Sequence, residues 1–292
     1  MKYQEVIRLE EGFMISEKTA SLTDHELHAH DALEISIVVD NQIRYKTPQR
    51  DYYGHPGDIF LYRPFEPHWT LIDDGKPPAR WIMLLFLPSF AGSLPDGHKL
   101  LTPFYSMRTI PLIPASSEHA PAIQAAAEAA LREQQEQRYG WQTRRFLHFA
   151  DALVLIRRHY AETAEPAEDR SAASLDGAID SRLERIIQTM LGRFADEPDL
   201  DGLIRQSGLG KSRFFQKFKE MTGLSPGQFL IRLRLQHTAY LLKHTDKSIT
   251  EIAYECGFRS VSYFNRQFKE FDGRSPGEHR RRFSAGGQDP KR

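Results

Sequence analysis

The last third of the chain carries one residue pattern twice, fifty residues apart. The first copy reads Ser212-x-Phe214-x3-Phe218-Lys219-Glu220-x2-Gly223-x-Ser225-Pro226-Gly227. The second copy reads Ser262-x-Phe264-x3-Phe268-Lys269-Glu270-x2-Gly273-x-Ser275-Pro276-Gly277. In each copy the Ser-Pro step supplies a helix N-cap followed by proline at the first helical position. The pattern therefore predicts two copies of one helical unit near the C-terminus.

A short helix is predicted in front of each copy. Its positions correspond at an offset of 49 residues: Leu200, Leu203, Ile204, Gly208 and Leu209 match Ile249, Ile252, Ala253, Gly257 and Phe258. The two glycines lie where a helix must stop and the chain must reverse, which favours a residue that tolerates positive φ. Ser248 and Glu251 have the spacing of a capping box. Two short helices joined by such a turn form a helix-turn-helix, whose second helix enters the major groove of DNA.

The second helix of each unit is predicted to have one apolar and one polar face. The apolar faces hold Phe214, Phe218, Met221 and Phe264, Phe268, Phe271. The opposite faces hold Ser212, Gln216, Lys219 and Ser262, Arg266, Lys269, with Phe215 and Asn265 at the edges. Arginine can bind guanine through two hydrogen bonds, glutamine and asparagine can bind adenine, and lysine neutralises phosphate. The polar faces are therefore the predicted DNA contacts.

One long helix is predicted between the two units. Residues 225–244 would form about 20 helical residues, or about 30 Å at 1.5 Å per residue. Successive major grooves on one side of DNA recur at about 34 Å. A stiff helix of this length would place the two units in neighbouring grooves.

Charge is distributed unevenly, although the formal total is zero. Residues 181–292 contain 21 Lys and Arg against 13 Asp and Glu, and the remaining residues contain 18 against 26. A basic final third joined to an acidic remainder is typical of a nucleic-acid-binding module attached to another domain. The single cysteine, Cys256, excludes an internal disulfide and a multi-cysteine zinc site.

The N-terminal part has a different composition. The first 121 residues contain 12 of the 17 prolines, which separate short apolar runs such as 34–39, 58–62 and 81–87. Short strands between breakers predict a β-barrel or sandwich. The longest of these runs is far too short to span a membrane, and the first ten residues lack the apolar core of a signal peptide. We expect a cytoplasmic protein without membrane contacts.

The predicted fold class is α+β, with a β-barrel domain first and an all-helical domain last. Residues 1–115 form the barrel, and residues 116–160 form two helices rich in helix formers. These helices must cover either the barrel or a second subunit, and we favour a dimer interface. Residues 161–180 lack aromatic residues and periodicity and are predicted as a linker. The DNA-binding domain follows in residues 181–285.

The C-terminal motif resembles the DNA-binding domain of AraC/XylS-type transcription regulators over about residues 183–283. The similarity is carried by Ile252-Ala253-x2-Cys256-Gly257-Phe258, Ser262-Tyr263-Phe264-x-Arg266-x-Phe268-Lys269 and Gly273-x-Ser275-Pro276. The resemblance implies seven helices, of which the third and sixth contact DNA. It also implies contacts from Lys211, Ser212, Phe215, Gln216, Ser260, Val261, Ser262, Asn265 and Arg266. Gln216 departs from the basic residue that the family often carries, so the first copy should bind more weakly or prefer another base.

A histidine-rich segment marks the predicted barrel. His28, His30 and Glu34 occupy alternate positions that would share one face of a strand, while Leu33 and Ile35 would face the other way. Polar residues inside a barrel are costly unless they meet a ligand, a metal or water. We therefore interpret this face as the lining of a binding site.

The same segment resembles the cupin barrel over about residues 20–90. His-x-His-x3-Glu matches the first cupin motif, and Gly57-Asp58-x5-Pro64-x3-His68 matches the second. The resemblance implies a metal site formed by His28, His30, Glu34 and His68, whose nitrogen and oxygen atoms suit Fe, Mn, Ni or Zn.

Sensor domains of this regulator type often keep the barrel without using a metal. We therefore expect no cofactor, and instead a small polar effector such as a sugar. The side chains expected to contact it are His28, His30, Glu34, Tyr62, Arg63, His68, Trp69 and Trp81. Aromatic faces and charged groups suit carbohydrates or acids, although tryptophan and tyrosine in a small barrel are equally often core residues.

The leading hypothesis is a non-enzymatic transcription regulator, such as an activator, controlled by an effector. Its expected partners are double-stranded DNA, a small-molecule effector, a second copy of the chain and RNA polymerase. Two alternatives stay open. One is a metal-dependent cupin oxygenase or isomerase with a DNA-binding tail, and the other is a constitutive DNA-binding protein whose barrel only dimerises.

Overall fold

The computed structural model describes residues 9, 12–20, 28–47, 50–92, 94–106, 110–163 and 175–284. The strands are β1 (Phe13–Ala20), β2 (Leu33–Asp40), β3 (Ile43–Lys46), β4 (Asp51–Gly54), β5 (Ile59–Tyr62), β6 (Trp69–Leu71), β7 (Ala79–Phe86) and β8 (Leu112–Ile113). The N-terminal helices are α1 (Pro88–Ala91), α2 (Gly97–Leu100), α3 (Thr102–Tyr105), α4 (Ala120–Glu136) and α5 (Trp141–Glu162). The C-terminal helices are α6 (Leu175–Gly192), α7 (Leu200–Ser207), α8 (Lys211–Thr222), α9 (Pro226–His244), α10 (Ile249–Glu255), α11 (Val261–Asp272) and α12 (Pro276–Ser284).

The strands form two antiparallel sheets. The larger sheet has the order β1-β7-β2-β5-β8, and the smaller sheet has the order β4-β3-β6. The sheets enclose one apolar cluster, to which both contribute: Val38, Ile43, Tyr45, Phe60, Tyr62, Ile72, Ala79 and Trp81. An isolated β-bridge between His28 and His68 ties together the segments that precede β2 and β6.

Strand β2 has two different faces because side chains alternate along a strand. Leu33, Ile35 and Ile37 belong to the core between the larger sheet and the helices. Glu34 and Ser36 share the other face with Val38, which packs between the sheets. The predicted alternation is therefore present from residue 33 onward. His28 and His30 precede the strand and reach the same region through the bridge and a bend.

Helices α4 and α5 pack against the larger sheet. Phe149 of α5 stacks on Phe13 of β1 at a centroid distance of 5.1 Å and also contacts Phe86 of β7 edge-on. The helices therefore cover the sheet, which was one of the two roles expected for residues 116–160. Leu147 points away from this core and is 57% exposed. The second role, a dimer interface, stays a prediction.

The described residues 175–284 contain the seven helices that the sequence resemblance implied, α6 to α12. The third and sixth are α8 and α11, which carry the two copies of the repeated motif. Helix α6 begins at Leu175, inside the predicted linker 161–180, because Ile179 extends the apolar stripe of Leu183 by one turn. Residues 164–174 of that linker lie outside the described residues. The predicted α+β class is confirmed.

The turns of the repeated units form as the sequence predicted. Ser248 and Ser225 each accept a hydrogen bond from a backbone N–H three residues later, which completes two capping boxes. Gly223 and Gly273 end α8 and α11 with φ of 76° and 81°, where a side chain would be strained. The turns fix how each second helix leaves its unit and where the next helix starts.

Phe264→Ala should destabilise the C-terminal domain. Its ring is fully buried between Phe258 and Phe268, so truncation would leave a cavity and cost about 3–5 kcal/mol. Tyr254→Ala provides the control because that ring is 56% exposed, and it should change stability by less than about 0.5 kcal/mol. Chemical unfolding followed by circular dichroism measures both values. Equal stabilities for the two variants would contradict this assignment of the core.

Candidate functional site

The first candidate surface consists of the outer faces of α8 and α11. The predicted contacts Lys211, Ser212, Gln216, Lys219, Ser260, Ser262, Asn265, Arg266 and Lys269 are all exposed. Phe215 and Val261 are half-buried at the edges of these faces. Each helix is held from behind by two fully buried phenylalanines, Phe214 and Phe218 in α8 and Phe264 and Phe268 in α11. The side chains suited to DNA therefore project from a rigid support.

We call residues 200–223 the first head and residues 249–273 the second head. Helix α9 joins them and contributes to the cores of both, through Phe229 in the first and Leu235 in the second. Its 19 residues correspond to about 28 Å at 1.5 Å per residue. The length is close to the spacing of successive major grooves, about 34 Å.

The polar faces of the two heads differ in their electrostatics. In α8 the Gln216 amide donates to Glu220 at 3.0 Å, and Lys217 lies 3.4 Å from the same carboxyl group. In α11 the guanidinium of Arg266 lies over the exposed ring of Tyr263, 5.4 Å from its centroid. At the matching position of the repeat, the second head thus presents the cation Arg266, whereas the first presents the amide of Gln216, which is engaged by Glu220.

The second candidate site is the histidine cluster, which we define as His28, His30, Glu34 and His68. Its four side chains each offer a ligand atom, and these atoms lie within 4.8 Å of one another. Nε2 of His30 lies 3.1 Å and Nε2 of His68 lies 3.3 Å from Oε2 of Glu34. Ser36 donates a hydrogen bond of 2.8 Å to the other carboxylate oxygen. The structure therefore brings together all four residues that the sequence grouped.

The backbone fixes the orientation of two of these rings. Nδ1 of His30 lies 3.0 Å from the carbonyl oxygen of Ala32, and Nδ1 of His68 lies 2.8 Å from that of Glu66. Because a carbonyl oxygen can only accept, each Nδ1 carries the proton and each Nε2 is directed at Glu34. A hydrogen bond from the other ring nitrogen to a carbonyl oxygen commonly orients a histidine that binds a metal.

The cluster surrounds a buried carboxylate with imidazoles. Burial disfavours the charged form of Glu34, but hydrogen bonds from His30 and His68 outweigh it and hold the pKa of Glu34 well below its usual range. Burial alone would lower the pKa of His68, but the hydrogen bond to Glu34 raises it. Glu34 is therefore a carboxylate at neutral pH, and a metal ion at this site would compete with the proton on His68.

Aromatic side chains occupy the space beside the cluster. The ring of Tyr62 stacks on His68 at a centroid distance of 4.1 Å. Tyr45 and Phe60 lie next to it with centroids 3.9 Å apart, and Trp81 is buried in the same cluster between the sheets. These rings pack between the two sheets beside the cluster.

Two other predicted effector contacts lie apart from the histidine cluster. Arg63 pairs with Glu66, with Nη2 2.7 Å from Oε1. Trp69 is half-buried on β6, where Lys46 lies over its ring at 5.1 Å. Tyr62 contacts the cluster through its stack on His68, and Trp81 is buried in the apolar cluster between the sheets. The effector contacts expected from Arg63, Trp69 and Trp81 stay predictions.

The donor set fits a divalent transition metal. Three imidazoles and one carboxylate are ligands that Zn²⁺ and its neighbours in the first transition row accept. The two nitrogens directed at Glu34 are free of backbone contacts, so they can bind an ion without breaking a hydrogen bond to the main chain. Sequence reasoning missed a second acidic and histidine group, Glu118, His119 and Glu162, because Glu162 lies 43 residues from His119 and both glutamates are exposed.

Two known domain families match the chain. Residues 12–148 match the AraC-like ligand binding domain, and residues 203–282 match a helix-turn-helix domain. The chain is thus a ligand-binding domain followed by a double helix-turn-helix. Both matches agree with the resemblance to AraC/XylS-type transcription regulators that the sequence motifs indicated.

Individual relatives match over part of their length. The HTH-type transcriptional regulator MtrA of Neisseria gonorrhoeae is 36% identical over 129 residues, which are 44% of this chain and 42% of MtrA. The HTH-type transcriptional activator RhaR of Klebsiella pneumoniae is 31% identical over 139 residues, 48% of this chain and 47% of RhaR. The chain thus matches less than half of the length of these curated relatives. The crystal structure of ToxT from Vibrio cholerae O395 aligns with 94% of this chain and 98% of its own at 14% identity and a TM-score of 0.39.

Glu34→Gln should destabilise the N-terminal domain when a chelator is present. The amide cannot replace the charged acceptor of two buried imidazoles, so we expect a loss of about 1–3 kcal/mol. Glu17→Gln is the matched control because Glu17 forms an exposed pair with Arg80, and it should cost less than about 1 kcal/mol. Urea unfolding at pH 7 measures the difference. An unchanged stability of Glu34→Gln would show that the buried pair does not hold this region together.

Proposed function

We propose that the chain is a transcription regulator that binds double-stranded DNA through α8 and α11 under the control of a ligand in its N-terminal domain. The observation that carries this proposal is the pair of exposed polar helix faces on separate buried cores, joined by one continuous helix. Such an arrangement presents two second helices to neighbouring major grooves. The matches to an AraC-like ligand binding domain and to a helix-turn-helix domain support the same function.

The second head should contribute more of the sequence discrimination than the first. Arg266 and Asn265 are exposed side chains that can each bind one base through two hydrogen bonds. In the first head the amide of Gln216 must leave Glu220 before it can contact a base. We therefore propose that α11 specifies the more conserved half of the operator and that α8 adds affinity.

Two substitutions in α11 separate base recognition from phosphate contact. Arg266→Ala should reduce discrimination at one base pair by about 1–3 kcal/mol. Lys269→Ala should weaken binding to all duplexes alike. It should also reduce the slope of the logarithm of the binding constant against the logarithm of the salt concentration by about one, because one phosphate contact is lost. Fluorescence anisotropy with a duplex selected by the full chain from a random library, and with its single-base variants, measures both effects.

Arg193→Gln is the control for these two variants, because Arg193 pairs with Asp196 on an exposed part of the same domain. It should retain the affinity and the base preference of the unchanged protein. Identical base preferences for Arg266→Ala and the unchanged protein would remove α11 from the recognition surface.

We further propose that the ligand of the N-terminal domain is a divalent transition metal bound by the histidine cluster. The four ligand atoms fit an ion, whereas the rings packed beside them favour an ion over a sugar. A bound metal would supply positive charge that neutralises Glu34 and holds the three imidazoles together. A small polar effector that reaches Arg63 and Trp69 is the alternative.

Metal binding distinguishes these two ligands. The full chain should bind close to one Co²⁺ per protomer with ligand-field absorption typical of nitrogen and oxygen donors, and His30→Ala should abolish that binding. His55→Ala is the control because His55 is an exposed histidine outside the cluster. Binding that is lost equally in both variants, or that persists in His30→Ala, would assign the metal to another site. A melting temperature raised only by sugars or acids would favour the polar effector.

The proposed regulator is not an enzyme, acts in the cytoplasm, and works as a homodimer that contacts RNA polymerase. Support for a dimer comes from the exposed Leu147 on α5, on the side of the helix that faces away from the sheet. Among the described residues, none of the helices has the length and apolar character needed to cross a lipid bilayer. Turnover of a substrate by the metal-loaded protein would instead support the cupin enzyme alternative.

A further inference from the structure

The two chain segments that build the histidine cluster also contact the DNA-binding domain. Residues 28–34 supply three of its members, and residues 62–68 supply the fourth together with Tyr62. The segments are bound to each other by the His28–His68 bridge and by a hydrogen bond of 2.7 Å from the N–H of Phe65 to the carbonyl of His30. A ligand that draws His30 and His68 together therefore acts on both segments at once.

The first contact is an ion pair between Asp31 and Arg232 of α9. Asp31 follows His30 directly, and its side chain is 1% exposed. Nη1 of Arg232 lies 2.9 Å from Oδ2 of Asp31. The same guanidinium lies 5.1 Å from the ring centroid of Phe271, near the end of α11. Arg232 of α9 thus connects Asp31, beside the histidine cluster, to Phe271 in α11 of the second head.

The second contact is between Phe65 and the end of the first head. Phe65 has a φ of 59°, an unusual value for a bulky residue, and it lies against Gly223. A Cβ placed on Gly223 would lie 2.4 Å from Cβ of Phe65, so the two backbones meet closely. Gly223 ends α8 and starts the turn into α9. A shift of residues 62–68 would therefore also displace the turn at Gly223, which orients α8 relative to α9.

The contact between α9 and the N-terminal domain is packed incompletely. Cavities of about 90 and 130 Å³ lie between the two parts, one lined by Leu87 and Gln236 and the other by Pro88 and His237. Within the described part of the chain, Oε1 of Gln236 and Nδ1 of His237 are buried without a hydrogen-bond partner. Unsatisfied polar atoms and voids weaken a contact. The contact around Gln236 and His237 can therefore rearrange while the second head keeps its own core.

We infer that the Asp31–Arg232 ion pair and the Phe65–Gly223 contact couple ligand binding at the histidine cluster to the position of both heads. The inference rests on the proposed function, because it requires that the cluster binds a ligand and that the heads bind DNA. It adds a route between the two sites. Residues 62–68 touch the first head directly at Gly223, and residues 28–34 reach the second head through Arg232. A ligand that binds the two arrangements with different affinity would shift the population between them.

The test compares DNA affinity with and without Co²⁺ for the full chain and four variants. In the unchanged protein, Co²⁺ should change the dissociation constant for a duplex selected from a random library by at least about fivefold. Asp31→Asn, Arg232→Gln and their double variant should each reduce this change to less than about twofold, because all three break the same pair. Phe65→Gly, which keeps the positive φ accessible, should reduce the change as well.

Independent measurements keep the outcomes distinct. Arg193→Gln is the control and should respond to Co²⁺ as the unchanged protein does. Cobalt absorption should show unchanged metal binding in Asp31→Asn and Arg232→Gln, and hydrogen exchange of residues 222–228 should respond to Co²⁺ only in the unchanged protein and in Arg193→Gln. Circular dichroism identifies a variant that does not fold. If Asp31→Asn does not fold, Arg232→Gln tests the ion pair, and the reverse also holds.

Three results would overturn the inference. If the variants keep the full response to Co²⁺, the pair is not the route. If the unchanged protein binds both Co²⁺ and DNA without mutual effect, the coupling fails while both proposed sites stand. If it binds no Co²⁺, or no duplex at low salt, the proposed function itself fails and the coupling fails with it.

Discussion

A buried carboxylate surrounded by imidazoles organises the N-terminal domain. Glu34 is 4% exposed, and a charge at that depth is tolerated only when it is paired and hydrogen-bonded. His30 and His68 provide the pairing from two segments separated in sequence, so the carboxylate holds those segments together. The geometry of the candidate ligand site and the contacts to the DNA-binding domain both follow from that constraint.

Much of the DNA-binding surface could be predicted from the sequence. The repeated phenylalanines fix which face of α8 and α11 is buried, and the glycines and Ser-Pro steps fix where these helices end and the next ones begin. These features are local, since each depends on residues within one or two helical turns. The cluster could also be predicted, because three of its members lie within seven residues and the fourth belongs to a recognisable motif.

The contacts between the domains could not be predicted in the same way. Asp31 and Arg232 are separated by 201 residues, and neither stands in a pattern that names its partner. Phe65 would be expected to avoid a positive φ, so only the fold explains its conformation. The aromatic residues proposed as effector contacts were ambiguous for another reason. Trp81 and Trp69 suit either a core or a binding site, and only the sheet geometry shows that Trp81 packs inside while Trp69 carries Lys46 on its outer side.

The two heads differ in their polar faces and in how they pack against the N-terminal domain. The first head, whose Gln216 is engaged by Glu220, shares a core with the N-terminal domain through α6 and α9. The second head has its own core and presents Arg266. A regulator needs a head that can find its sequence and a head whose engagement can be controlled. If a ligand at the histidine cluster changes the DNA affinity, then linkage requires that DNA held by both heads changes the affinity of the cluster for that ligand by the same factor. Coupling of this kind requires only a change in how Arg232 lies against Asp31 and how Gly223 lies against Phe65.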